Sequence, residues 1–202
     1  MKNLLTLVSV LLVTVSFGQT AEDYKNQGLA KFELHDYTGA ILDFTKAIEL
    51  DPDPAEGAVY LIRGFAKFSL QDYKGAIADY NKVIGLNPAN AFLYLNRGNA
   101  KFSLQDYRGA ILDFTKAIEL DSTDAKAYDN RGLAKNNLKD YKGAIADNTK
   151  AIELNPTYAK AYNNRGLAKY NLFDTDGACL DWSKAGELGD ADAYEYIKKY
   201  CN

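Results

Sequence analysis

Gly64, Gly98, Gly132 and Gly166 stand 34 residues apart, and Gly28 precedes Gly64 by 36. Around each of them the same residue types return at the same offsets. A Tyr stands four residues before (Tyr24, Tyr60, Tyr94, Tyr128, Tyr162), and an Ala stands twelve after (Ala40, Ala76, Ala110, Ala144, Ala178). Four residues beyond that Ala come Phe44, Tyr80, Phe114, Asn148 and Trp182. Asp-Tyr marks the middle of four copies, Asn-Pro or Asp-Pro closes three, and the two extra residues of the first interval fall in DPDPAEG. A unit of this length cannot bury an apolar face alone, so the copies must stack on one another and share a continuous core.

Within a unit, two amphipathic segments such as Ala125–Leu138 and Lys142–Leu154 are split by a short polar turn. Their apolar residues recur at three- and four-residue spacing, as in Ala144, Ile145, Ala151, Ile152 and Leu154, which is a helical period. Gly and Ala remove bulk where two helix backbones approach, and the aromatic positions fill the space between neighbouring pairs. Asn90, Asp124 and Thr157 are placed to cap the first helices of the units that follow them.

A 34-residue period carrying aromatic, Gly, Ala, aromatic, Ala and Pro in that order closely resembles the tetratricopeptide repeat family, over about 170 residues. The resemblance implies an all-α, right-handed superhelical solenoid of five helix-turn-helix repeats: about 21–56, 57–90, 91–124, 125–158 and 159–192. The fifth unit departs from the others in Thr175 and Trp182, and DADAYEYIKKY after it reads as a capping helix over 192–201. There Tyr194, Ile197 and Tyr200 are expected to face the array, and Glu195, Lys198 and Lys199 to meet water.

Charges recur as well. Arg63, Arg97, Arg131 and Arg165 precede their Gly, with Gln27 in the first unit; four residues after each of these comes Lys31, Lys67, Lys101, Lys135 or Lys169. Asp43, Asp79, Asp113, Asp147 and Asp181 recur on the second helix. A cationic ladder for an acidic ligand would not need its own counter-ion in every unit, so these groups are expected to pair with one another across helices.

Residues 1–18 have one Lys, an apolar and hydroxyl run from Leu4 to Phe17 and a small-residue exit, the pattern of a secretory signal peptide cleaved after Gly18. The run is too short to span a bilayer, so no stable membrane anchor is expected after cleavage. The expected product, 19–202, is exported, to the periplasm or beyond the cell. In that setting Cys179 and Cys201, on helices expected to be antiparallel, would come level as a disulfide; two independent buried thiols are the alternative. A net charge of −3 argues against a nucleic-acid surface. His35, the single His, falls in a turn, no Cys/His set has zinc spacing, and Asp51 with Asp53 reads as an ordinary turn. No catalytic residue, cofactor or metal site is expected.

In the resembled family the first helices line a concave groove that binds peptides or extended protein segments. The matching positions here include Leu61, Phe65, Phe68, Phe92, Leu95, Asn99 and Phe102, with Lys25, Leu29, Phe32 and Ile62 in the earlier units. Further along come Asn130, Asn137, Lys160 and Asn164, with Lys126, Asp129, Asn136, Asn163, Tyr170 and Asn171. The lining therefore passes from apolar to amide-rich. One family subset grips a partner's C-terminal carboxylate with Lys–Asn–Asn–Lys–Arg; the places here hold Leu95, Asn99, Asn130, Lys160 and Asn164, without the first Lys and the last Arg. The expected function is a non-catalytic scaffold that binds a protein or peptide partner in this groove. The alternative is a structural solenoid of the cell envelope that self-associates through a first unit exposing Tyr24 and Phe44.

Overall fold

The computed structural model describes residues 19–52 and 57–201; the expected leader and Asp53 lie outside them. Among the described residues there are eleven α-helices and no strand. They are α1 (Ala21–Glu33), α2 (Tyr37–Leu50), α3 (Gly57–Ser69), α4 (Tyr73–Leu86), α5 (Ala91–Ser103), α6 (Tyr107–Leu120), α7 (Ala125–Asn137), α8 (Tyr141–Leu154), α9 (Ala159–Asn171), α10 (Thr175–Glu187) and α11 (Ala191–Tyr200). Consecutive helices pair into five hairpins, each stacked on the next, and α11 packs alone on α10. Chain and fold form an all-α solenoid. First helices begin at the first residue of each expected repeat, and α11 lies one residue ahead of the expected cap.

Each hairpin turns by one device. The second residue after the first helix takes the left-handed conformation although it is never Gly: His35, Gln71, Gln105, Lys139 and Phe173 have φ of 61 to 65°. That bend returns the next N–H to a carbonyl of the finished helix, as in Asp106 to Lys101 at 2.9 Å. The same Asp then caps the second helix: Asp36, Asp72, Asp106, Asp140 and Asp174 accept from the N–H of the Gly three residues on, at 2.9 to 3.0 Å. A Cβ on Gly39, Gly75, Gly109, Gly143 or Gly177 would lie 2.1 to 2.3 Å from that carboxylate, so the cap dictates the Gly. The first helices start less uniformly. Thr20, Asn90 and Asp124 cap by accepting a backbone N–H, but Thr157 does not; it bonds Asn155, and Tyr158 takes the N-cap place with no side-chain bond. A Thr one residue too early reaches back into the turn instead of forward into the helix.

The repeated Gly and the repeated ring are one contact. Phe44, Tyr80, Phe114 and Trp182 are at most 1% exposed, and a Cβ on Gly28, Gly64, Gly98 or Gly166 would come within 2.6 to 2.7 Å of them. Phe44 is therefore covered by its own hairpin and Val59 of the second, not left open at the N-terminal end. In the fourth unit the slot holds Asn148, 0% exposed; its Nδ2 donates to Ala144 carbonyl at 3.0 Å and its Oδ1 has no partner.

The recurrent charges pair as expected. Arg63, Arg97, Arg131 and Arg165 each grip Asp79, Asp113, Asp147 or Asp181 with two donors, and Lys67, Lys101, Lys135 and Lys169 reach the same carboxylates at 2.7 to 2.8 Å. The remaining Arg nitrogen crosses to the preceding unit, at Thr45, Asn81, Thr115 and Thr149. One guanidinium thus ties three helices, and it lies 5.4 to 5.6 Å over the Tyr three residues earlier. In the first unit Gln27 makes no such fork, and Asp43 has Lys31.

At the other end α11 turns Ala193, Tyr196, Ile197 and Tyr200 onto Trp182, and Cys179 is joined to Cys201. Tyr194 is 59% exposed, contrary to the sequence expectation, because the helix rotates Tyr196 into the stack on Trp182. The bidentate pairs set a graded expectation for stability. Asp113→Ala strands Arg97 in a half-buried site and should cost roughly 3–5 kcal/mol, the scale for breaking a buried pair. Asp43→Ala, which strands a better solvated Lys, should cost less than half as much. Urea unfolding of both variants checks the order; equal losses would refute the role assigned to the fork.

Candidate functional site

Successive first helices approach one another, α5 to α7 and α7 to α9, more closely than successive second helices do. The first helices therefore line the inner side of the curve, and the residues that vary between units lie there. Their frame is fixed by the Gly, Ala and Arg positions, which leaves one face of each first helix free to change.

Phe68, Asn99, Phe102, Ser103, Phe114, Asn130 and Leu133 enclose an open recess of about 210 Å³ across α3, α5, α6 and α7. Phe68 and Phe102 stand edge-on to Tyr73 and Tyr107 at 5.3 and 5.2 Å, so the turns that begin α4 and α6 hold these rings. Asn130 Nδ2 donates to Asn99 Oδ1 at 2.8 Å, joining amides from adjacent units. That bond uses the Asn99 carbonyl and the Asn130 amino group. The Asn99 amino group and the Asn130 carbonyl take no part in that bond, so the pair presents N–H donors beside a carbonyl acceptor, the complement of a peptide unit.

The other expected positions divide. Leu61 packs into the joint between the second and third units and Leu95 beside Phe114, both half-buried, as Phe68 and Phe102 are against the same clusters. Phe65 bridges Tyr80 and Phe92 at 5.8 Å, and Phe92 is 51% exposed beyond it. Asn137 Nδ2 bonds the Leu133 carbonyl of its own helix. Lys160 and Asn164 border a second, more polar recess with Asn163 and residues 188–192, and no ring lies in it. The two clamp positions without a cation hold Leu95, half-buried beside Phe114, and Asn164 in a hydrogen bond to Asp129, so two of the charges a five-residue carboxylate clamp uses are missing.

Asp129 was legible as a lining position but its environment was not. It is 3% exposed, and its acceptors face two neutral donors, Asn164 Nδ2 at 2.7 Å and the Tyr158 hydroxyl at 3.0 Å. Burial pushes its carboxyl above the ordinary value, against the pull of those two bonds and of the Lys160 charge. Burial and the Asp129 charge raise the Tyr158 phenol as well. Asp where Leu61 and Leu95 stand in other units was the available signal. Among the described residues no group of His, Cys, Asp or Glu is arranged to hold a metal ion, and no helix is long and apolar enough to cross a membrane.

A pH dependence follows. Folded Asp129 holds its proton more tightly than the unfolded chain does, so this group's contribution is most favourable in acid. It declines as pH rises from the ordinary carboxylate value through the raised one, about 1.4 kcal/mol for each tenfold change in proton affinity. Asp129→Asn removes the charge, still accepts from Asn164 on its Oδ1, and turns its Nδ2 to donate to the Tyr158 hydroxyl oxygen, reversing that bond. It should be more stable than the parent at neutral pH, with the gap closing as pH falls through that window. Urea unfolding at a series of pH values checks this, and a gap independent of pH would contradict it.

Profiles described as TPR repeat match residues 64–105, and profiles described as tetratricopeptide repeat match 24–54, 91–124 and 125–158. Together these cover more than half of the chain. No curated protein sequence matches. Among solved structures, MamA is similar at 27% identity and a TM-score of 0.75, covering 89% of this chain and 94% of that one. MamA from Desulfovibrio magneticus RS-1 is 23% identical with a TM-score of 0.77, covering 85% and 96%. YrrB, described as a TPR protein with an unusual peptide-binding site, is 22% identical with a TM-score of 0.73, covering 89% and 92%. The last two similarities carry the fold alone. With the 34-residue period, the five hairpins and these matches in agreement, the chain belongs to the tetratricopeptide repeat family.

Proposed function

We propose that this protein is a non-catalytic scaffold, exported after loss of residues 1–18, that holds an extended segment of a partner protein along its first helices. An apolar side chain of the segment enters the recess between Phe68 and Phe102, and the Asn99 amino group and Asn130 carbonyl bond its backbone. The observation that carries this reading is the amide pair locked at 2.8 Å beside an aromatic recess. Family membership supports protein binding in general; the recess supports where and how. Export is supported by the leader pattern and by the Cys179–Cys201 bond.

The second reading is self-association through the first unit. Phe44 no longer supports it, being buried, but Leu34 is 80% exposed where its counterparts Leu70, Leu104, Leu138 and Leu172 are 38 to 47% exposed. Sedimentation of 19–202 across a wide concentration range separates the readings, since a monomer at every concentration sinks self-association.

The groove reading is tested by selecting random displayed peptides on immobilised 19–202. Enriched peptides should share an apolar residue and lose at least tenfold in affinity for Phe102→Ser and for Asn99→Ala/Asn130→Ala, both shown to fold by circular dichroism. Peptides that bind parent and variants alike would overturn the placement.

A further inference from the structure

α11 sits on α10 as a first helix sits on the unit before it, with Ala193 buried where Ala161 is buried in α9. Counted from the helix starts, Lys198 stands where Gly166 stands in α9. The close backbone approach that builds each hairpin is therefore closed to α11, and a helix laid on it must meet side chains. Its outward face has a definite order. Asp192 and Glu195 lie toward the start and Lys199 toward the end, all exposed, and with Tyr196, Lys198 and Tyr200 they line an open recess of about 550 Å³. Tyr196 stacks on Trp182 at 5.1 Å, and Trp182 is fully buried, so the part of Tyr196 that meets solvent is the side turned to the recess. The two rings form a stack with one open end. Lys199 Nζ lies 4.9 Å over the Tyr200 ring, which keeps that cation beside the aromatic surface.

Acid before base is the order that the helix dipole favours. It also makes this face the complement of itself in the antiparallel direction. Asp192 and Lys199 are seven residues apart, two turns of helix or about 10 Å, so they share one stripe. A two-fold axis between residues 195 and 196 sets Asp192 of each copy against Lys199 of the other and brings two Tyr196 rings together beside the axis. A parallel copy would oppose acid to acid and base to base. A surface that fits its own copy about a two-fold axis is an isologous interface.

We propose that two copies of this protein associate through α11, antiparallel about such an axis. The stack then runs Trp182, Tyr196, Tyr196, Trp182 across the contact, with an Asp192–Lys199 pair on either side of it. The disulfide from Cys179 to Cys201 fixes the end of α11 on α10, so the face is held in shape before the second copy arrives. A ten-residue helix offers less area than a standard interface, so the dimer is weak, half formed at roughly 10–500 μM. The Phe68–Phe102 recess lies on α3–α7, outside this contact. The pairing therefore rests on α11 alone and leaves the inner faces of both copies open.

The test is sedimentation equilibrium of 19–202 up to about 1 mM, at low ionic strength where exposed charges are least screened. The mass of the parent should rise toward the dimer. Asp192→Lys and Lys199→Glu, each shown to fold by circular dichroism, set like charges opposite one another and should each weaken association at least tenfold. An equimolar mixture of the two variants restores opposite charges at both contacts, as does the double variant Asp192→Lys/Lys199→Glu on one chain. Both should recover association to within about threefold of the parent. The double variant opposes the helix dipole twice, so its recovery cannot come from a firmer helix. Leu34→Ser, at the other end of the array, should change nothing. A parent that stays monomeric, single variants that associate like the parent, a mixture or double variant that fails to recover, or a loss with Leu34→Ser would each overturn the α11 dimer.

Discussion

Everything in this molecule depends on how closely two helix backbones can approach inside one hairpin. The Gly of the first helix brings its backbone onto a ring of the second, at a distance that any Cβ would violate. Close packing of that contact excludes water from the Asp one residue before the ring. The Asp then requires a cation, and the Arg just before the Gly is the group within reach. Because that Arg has a donor left over, it also grips the preceding unit. Gly, ring, Asp and Arg are one structural decision, repeated.

The division of labour follows. Frame positions face the partner hairpin or the neighbouring unit, and their chemistry recurs because each unit meets the same surroundings. Positions on the inner side of the first helices have no such obligation, and they drift from Phe to Asn along the array. Two of them, Asn99 and Asn130, sit one unit apart and face each other, so a feature of the inner surface arises from two units and belongs to neither. The aromatic recess beside them is built the same way, from α3, α5, α6 and α7.

Much of the fold could be read from the period. Helix starts, the pairing of the charges and the meeting of Cys179 with Cys201 follow from the register of one repeat on the next. What could not be read depended on rotation and reach. Tyr194 and Tyr196 are two residues apart on a short helix, and only packing against Trp182 decides which turns inward. Thr157 has the right chemistry for a cap but stands one place early. The Gly of each second helix is required by the Asp cap, a contact that the period alone does not reveal. Of the inner-face residues, Phe68, Asn99, Phe102 and Asn130 line one recess, while Leu61 and Leu95, half-buried like those rings, pack at the joints between units. The sequence pattern marks a face, but not how deep each residue on it sits. Asp129 illustrates the same gap: its identity was visible, its burial away from any paired cation was not.

The most direct measurement is a two-dimensional NMR titration of 19–202 with a peptide selected on it, following backbone and Asn side-chain amides. The account predicts that the side-chain amides of Asn99 and Asn130 and the backbone around Phe68 and Phe102 shift together, while the amides of α2, α4, α8 and α10 stay fixed. Shifts confined to the second helices, or to the Leu34 end of the first hairpin, would place recognition elsewhere and contradict it.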